Sequence, residues 1–159
     1  MNEPHIRIEE DISLKLIYIR FKGSYAAFRK HSRAMFNTLF EYAKKHDLII
    51  EGETKVLTLY HDNPFITHGD NLRTSVAMTI PSTAVIDETN EISTLTLSGK
   101  FCVGTFDLKL NEYGLAWNTM IDIWTSYPVR DALPFELYVT EPPRNFKGSS
   151  SVDIYVPIQ

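Results

Sequence analysis

The sequence predicts an α+β fold: a β-α-β-β motif present twice as a pseudo-two-fold duplicate, with an antiparallel sheet, two main helices and a cleft between the halves. Two observations predict it. Leu59-Tyr60-His61-Asp62-Asn63-Pro64 runs on to Val76-Ala77-Met78-Thr79-Ile80-Pro81, and Phe135-Glu136-Leu137-Tyr138-Val139-Thr140-Glu141-Pro142 runs on to Val152-Asp153-Ile154-Tyr155-Val156-Pro157. Each copy is a strand, an acidic-Pro turn, a loop and an apolar strand closed by Pro, and the offset from Tyr60 to Tyr138 nearly equals that from Pro81 to Pro157. Ahead of each copy, apolar residues recur at helical spacing.

After a polar lead-in, residues 14–21 are rich in β-branched and aromatic side chains and read as a strand stopped by Gly23. Ser24 follows as a helix N-cap. Phe28, Met35, Phe36, Leu39, Phe40 and Ala43 then mark one face of a long helix, with Arg29, Arg33, Lys44 and Lys45 between them. Strands over 56–60 and 73–80 close the first half, about 12–81. A polar connector over 82–90 leads to strands over 92–98 and 100–110. Trp117, Met120, Ile121 and Trp124 fall at i, i+3, i+4 and i+7, a second helix that Pro128 must end. Strands over 135–140 and 151–156 complete the second half, about 92–159, and the Ser- and Gly-containing loop over 144–150 is expected to be mobile.

The chain of 159 residues, 43% hydrophobic, suits one domain with a full core. A formal net charge of −4 lacks the basic face that nucleic-acid binding requires. No apolar stretch approaches a membrane span, Met1-Asn2-Glu3-Pro4 begins no signal peptide, and the lone Cys102 has no disulfide partner, so a cytoplasmic location is expected.

Tyr60-His61-Asp62-Asn63-Pro64 with Leu72-Arg73 and Thr79-Ile80-Pro81, then Leu133-Pro134-Phe135-Glu136-Leu137-Tyr138 with Asp153-Ile154-Tyr155-Val156, together resemble the DNA-gyrase-inhibitor-like (GyrI-like) family along nearly the whole chain. The family includes stand-alone proteins and the effector-binding domains of AraC-type and MerR-type regulators. The resemblance implies two β-α-β-β motifs around a ligand cleft. It also implies a glutamate, Glu136 here, that contacts lipophilic cations in some members and is catalytic in members that hydrolyse strained rings. Three departures stand out: Ser75 where relatives often carry an acid, Asp107-Leu108-Lys109 at the place matched to the Gly-x-Tyr that opens the second helix in many members, and no helix-turn-helix.

In a strand alternate residues share a face, so Glu136, Tyr138 and Thr140 point one way and Phe135, Leu137 and Val139 the other. The second set is expected to pack on the helices with Phe36, Leu39, Phe40 and Ile121. The repeat aligns Thr58 and Tyr60 with Glu136 and Tyr138; Tyr18 and Tyr155 are further candidates for that face, walled by Trp117 and Phe106. A carboxylate desolvated among rings is costly unless paired, and a lipophilic cation supplies the missing charge, each ring face adding roughly 0.5–2 kcal/mol. Glu136 also fits a solvated edge-strand acid or a partner of Arg20 or Arg130. His61, His68 and Asp70 lie on a Pro- and Gly-containing loop without a ligand spacing, so no metal is expected, and no cofactor. Cys102 reads as a small buried hydrophobe, and no Ser-His-acid triad is assigned.

The leading expectation is therefore a stand-alone domain that binds a small lipophilic cation as a sensor or sequestering protein, with Glu136, Tyr138, Tyr60, Tyr18, Trp117, Phe106 and Tyr155 as ligand residues. A hydrolase of strained-ring electrophiles using Glu136 is the first alternative. An interaction protein with gyrase or a regulator as partner is the second.

Overall fold

The structure is a computed structural model that describes residues 3–64, 66–140 and 148–159. Its main elements are β1 (His5–Lys22), α1 (Tyr25–Lys45), β2 (Val56–Tyr60), β3 (Arg73–Thr79), β4 (Ser93–Leu108), α2 (Tyr113–Trp124), β5 (Phe135–Tyr138) and β6 (Ser150–Pro157). They form two compact units, Ser13–Leu97 and the chain up to Ile12 together with Ser98–Gln159. The class is α+β with antiparallel pairing, and each unit is a β-α-β-β motif whose last strand is central: β1-β3-β2 in the first and β4-β6-β5 in the second.

In the first unit Ser24 caps α1 by accepting from the Ala27 amide at 3.1 Å, and Lys44 and Lys45 complement the dipole at its other end. Phe28, Leu39 and Ala43 are buried against Ile17, Ile19, Val76 and Met78, with Phe36 and Phe40 half-buried beside them. In the second unit Ala116 and Met120 of α2 pack on Cys102, Phe106, Leu108, Val152, Ile154 and Val156. Ile123 and Trp124 join this cluster rather than Ile121, which is half-buried. Gly104 permits the close approach of α2: a Cβ there would lie 2.6 Å from Met120 Sδ and 2.8 Å from the Phe106 ring.

Two strands differ from expectation. β1 begins at His5 rather than near 14, because its polar residues are paired: Arg7 donates to Thr105 at 2.8 Å and to Asp153 at 3.3 Å. The strands expected over 92–98 and 100–110 are the single strand β4, which runs through Gly99 at φ +102° with the Arg130 guanidinium filling the space a side chain would take. The Glu141-Pro142 turn and residues 144–147 of the last loop lie outside the described residues. Among the described residues no helix is long and apolar enough to cross a membrane.

Candidate functional site

The register of β5 against β6 fixes which side chains meet α2. Glu136 is opposite Ile154 and Tyr138 opposite Val152, and both partners belong to the cluster packed on α2. Glu136 and Tyr138 therefore face the helix, whereas Phe135 and Leu137 point to the other side of the sheet, where Phe135 stacks on Tyr155 at 4.4 Å and 11°. This corrects the expectation that Phe135 and Leu137 pack on the helices. Tyr155, expected beside Glu136, lies on the opposite face for the same reason.

Glu136 is only 3% exposed. Trp117 donates its indole Nε1–H to Glu136 Oε2 at 2.6 Å, and the Tyr138 hydroxyl donates to Oε1 at 2.8 Å. The indole bond is short, as charge-assisted bonds are, and the hydroxyl bond is of ordinary length; bonds to a charged group contribute roughly 1.5–3 kcal/mol each against the cost of dehydrating the carboxylate. Glu136 is thus neither a solvated edge acid nor a partner of Arg130, whose guanidinium bonds the carbonyls of Ile158 and Lys100 and lies 4.9 Å over the Phe101 ring. Phe106 shares the face of Glu136 and is fully buried beneath α2.

Sequence reasoning missed Tyr113. It is the first residue of α2 as Tyr25 is of α1, so the stretch matching a helix-opening Gly-x-Tyr is Asn111-Glu112-Tyr113 rather than Asp107-Leu108-Lys109. The equal position of the two tyrosines was the available signal. Tyr113 packs with Trp117 against the same cluster. Burial pushes its hydroxyl pKa up, the nearby Ser150 hydroxyl lowers it and the charge of Glu136 raises it further.

In the first unit Thr58 and Tyr60 face α1, and Tyr60 meets Tyr25 edge-on at 5.9 Å. Tyr18 does not share their face, because it pairs with Ala77 while the helix-facing residues are Ile17 and Ile19; it lies against His61 at 6.1 Å. His61 Nε2 and Ser75 Oγ are 2.7 Å apart, and Ser75 is fully buried, which is what the missing acid leaves in this chain. Burial, then the charges of Arg20 and Arg73, lower the His61 pKa to about 4. Asp62 of the D-N-P turn accepts from the Arg73 amide at 2.8 Å and from its guanidinium at 2.7 Å, so the two motifs of the resemblance hold each other. A groove of about 450 Å³ in this unit runs between Arg20 and Phe21 of β1, Met35 of α1 and Glu91, and of the candidates only Tyr18 lines it. No cluster of metal-ligating side chains occurs among the described residues. Cys102 is buried and its thiol pKa pushed up by that burial.

The chain resembles several solved structures. The C-terminal domain of EcmrR aligns at TM-score 0.76 and 12% identity, covering 98% of each chain. Against EcmrR in its DNA complex, at 13% identity and the same TM-score, the alignment covers 98% of this chain and 57% of that one. A hydrolase from Listeria innocua aligns at TM-score 0.64 and 8% identity over 100% of this chain and 94% of the other. SAV2435 bound to tetraphenylphosphonium aligns at TM-score 0.58 and 16% identity over 98% and 94%. At these identities the likeness is one of fold. No protein among the curated sequences matches the chain. The family model of the GyrI-like small molecule binding domain matches residues 4–159, so the chain belongs to the GyrI-like family of small-molecule-binding domains.

Proposed function

We propose that the domain binds a small, mostly apolar cation against Glu136 and acts as a sensor or sequestering protein. The observation that carries this reading is the dehydrated carboxylate held between Trp117 and Tyr138, an anion with aromatic walls. Opposite charge in low dielectric and cation–π attraction both favour a lipophilic cation there over a neutral molecule of the same shape. SAV2435 with its tetraphenylphosphonium supports the ligand class, and the EcmrR C-terminal domain, part of a DNA-bound assembly in the intact protein, supports the sensor role.

The test is titration calorimetry with tetraphenylphosphonium and, as a neutral probe, triphenylphosphine oxide. Glu136→Gln keeps the shape and removes the charge, so phosphonium affinity is expected to fall at least about 100-fold, roughly 3 kcal/mol, while the oxide changes little. Equal weakening of both would assign binding to shape alone, and unchanged affinity would remove Glu136 from the site.

One observation favours a second reading. The Tyr138 hydroxyl donating to Glu136 is the acid–base pair that addition of water to a strained ring needs. Turnover of styrene oxide that Glu136→Gln abolishes, with substrate still bound, would place the hydrolase above the sensor.

A further inference from the structure

Two buried hydroxyls of the second unit, on the helix-facing side that also holds Glu136, make no hydrogen bond among the described residues. Tyr113 stands one helical turn before Trp117, so both project from the same side of α2. Ser150 opens β6 and, by alternation with Val152 and Ile154, faces the same helix. Tyr113 Oη and Ser150 Oγ are both buried without a hydrogen-bond partner, and Ser150 is 3% exposed. The two hydroxyls neighbour one another closely enough for Ser150 to favour ionisation of Tyr113, yet their geometry falls short of a hydrogen bond. Buried polar groups are nearly always paired, so an unpaired pair next to a carboxylate marks a place for a group that the chain itself does not supply.

We propose that Tyr113 and Ser150 form a polar subsite that receives a hydroxyl of the ligand, making a hydroxylated apolar cation the preferred guest. This rests on the reading of Glu136 as the cation site. The chemistry selects the group: each protein hydroxyl both donates and accepts, and a guest hydroxyl does the same, closing both bonds at once. A fully substituted onium offers no hydrogen-bonding atom, and an ammonium only donates. Thr74 Oγ1 in the first unit is likewise unpartnered, but its rung neighbours are Tyr60 and Phe21, so no carboxylate stands on its ladder rung.

The experiment compares tetraphenylphosphonium with (4-hydroxyphenyl)triphenylphosphonium by calorimetry on the wild-type chain, Tyr113→Phe and Ser150→Ala. The wild type is expected to prefer the hydroxylated cation about tenfold, equivalent to about 1.4 kcal/mol, and each variant to reduce that ratio to about twofold or less. Folding is checked by thermal melts, in which Ser150→Ala is expected to match or exceed the wild type, since it removes an unsatisfied group. Equal binding of the two phosphoniums by the wild type, as when an ordered water fills the place, would overturn the subsite alone. A preference that survives both substitutions would also overturn it. Binding of neither phosphonium would overturn the cation reading and the subsite with it.

Discussion

Thr58 and Glu136 occupy matching places in the two units, third in β2 and second in β5, each two residues before a tyrosine that faces the helix. Their burial is the same, 2% and 3% exposed, yet only the second unit puts a charge there. The difference lies in what each helix supplies one turn after its opening tyrosine. After Tyr113 comes Trp117, half-buried and donating to Glu136; after Tyr25 comes Arg29, exposed on α1. Dehydration by itself does not decide where a carboxylate is tolerated. A donor built into the neighbouring helix does.

Moving the charge to the other unit is the severest way to break this comparison. Thr58→Glu puts a carboxylate under α1 where no indole stands, and it is expected to cost about 3–5 kcal/mol in urea unfolding at neutral pH. Part of that cost is expected to vanish on acidification, because a buried carboxylate that lacks the indole donor titrates above its usual range. A variant as stable as the wild type would show that the first unit accommodates the charge equally well. Removing the donor sharpens the contrast at smaller scale. Trp117→Phe keeps an aromatic ring but deletes the pyrrole half of the indole with its N–H, leaving Glu136 short of a charge-assisted bond at a cost of about 1–3 kcal/mol, with lost packing adding to it. Arg29→Ala at the matching position is expected to stay within about 0.5 kcal/mol. Similar losses from the two would mean that these helix positions do the same work.

The repeat, the helical spacing and the order of elements were legible because they depend on local sequence and on matched packing. The face of Glu136 was not. Alternation tells which residues of β5 share a side but not which side lies under a helix, and here both sides are buried, Phe135 and Leu137 as well as Glu136, so no polar side betrays the solvent. Tyr18 and Tyr155 were misplaced for the same reason, each sitting on the face away from its unit's helix. Tyr113 escaped because the strand expected to 110 ran past the true end of β4 at Leu108, and Asn111 stands where the telling glycine would be. The expected lead-in before residue 14 hid a strand because Arg7, Glu9, Glu10 and Asp11 are charged, and only the partners of Arg7, Thr105 and Asp153, far along the chain, explain how a charge is held there.

Acid provides the mildest test, because the two units differ in which groups they hold out of range. In the second unit the shifted Tyr113, Tyr155 and Cys102 move upward, away from the acidic side, and Glu112, an exposed carboxylate lowered chiefly by the Lys109 amide, loses its contribution only below the usual carboxylate range. In the first, His61 is held neutral, its pKa lowered from 6.5 to about 4 by burial and by Arg20 and Arg73. The unfolded chain takes up a proton near 6.5 that the folded chain refuses until about 4, so the stabilisation is complete above 6.5 and is lost as pH falls through that window. His61 is partly exposed, and solvent screening reduces the expected loss to about 1–2 kcal/mol. Asp62, whose pKa Arg73 lowers, loses its contribution only at still lower pH, so the two are separable. Urea midpoints in steps across that window should therefore fall for the wild type and flatten for His61→Gln, which can still reach Ser75. Hydrogen exchange should place the lost protection in Val56–Tyr60 and Arg73–Thr79. An unchanged acid loss in His61→Gln, or protection lost first in Phe135–Tyr138, would move the acid-sensitive element to the second unit and undo the division of labour drawn from Thr58 and Glu136.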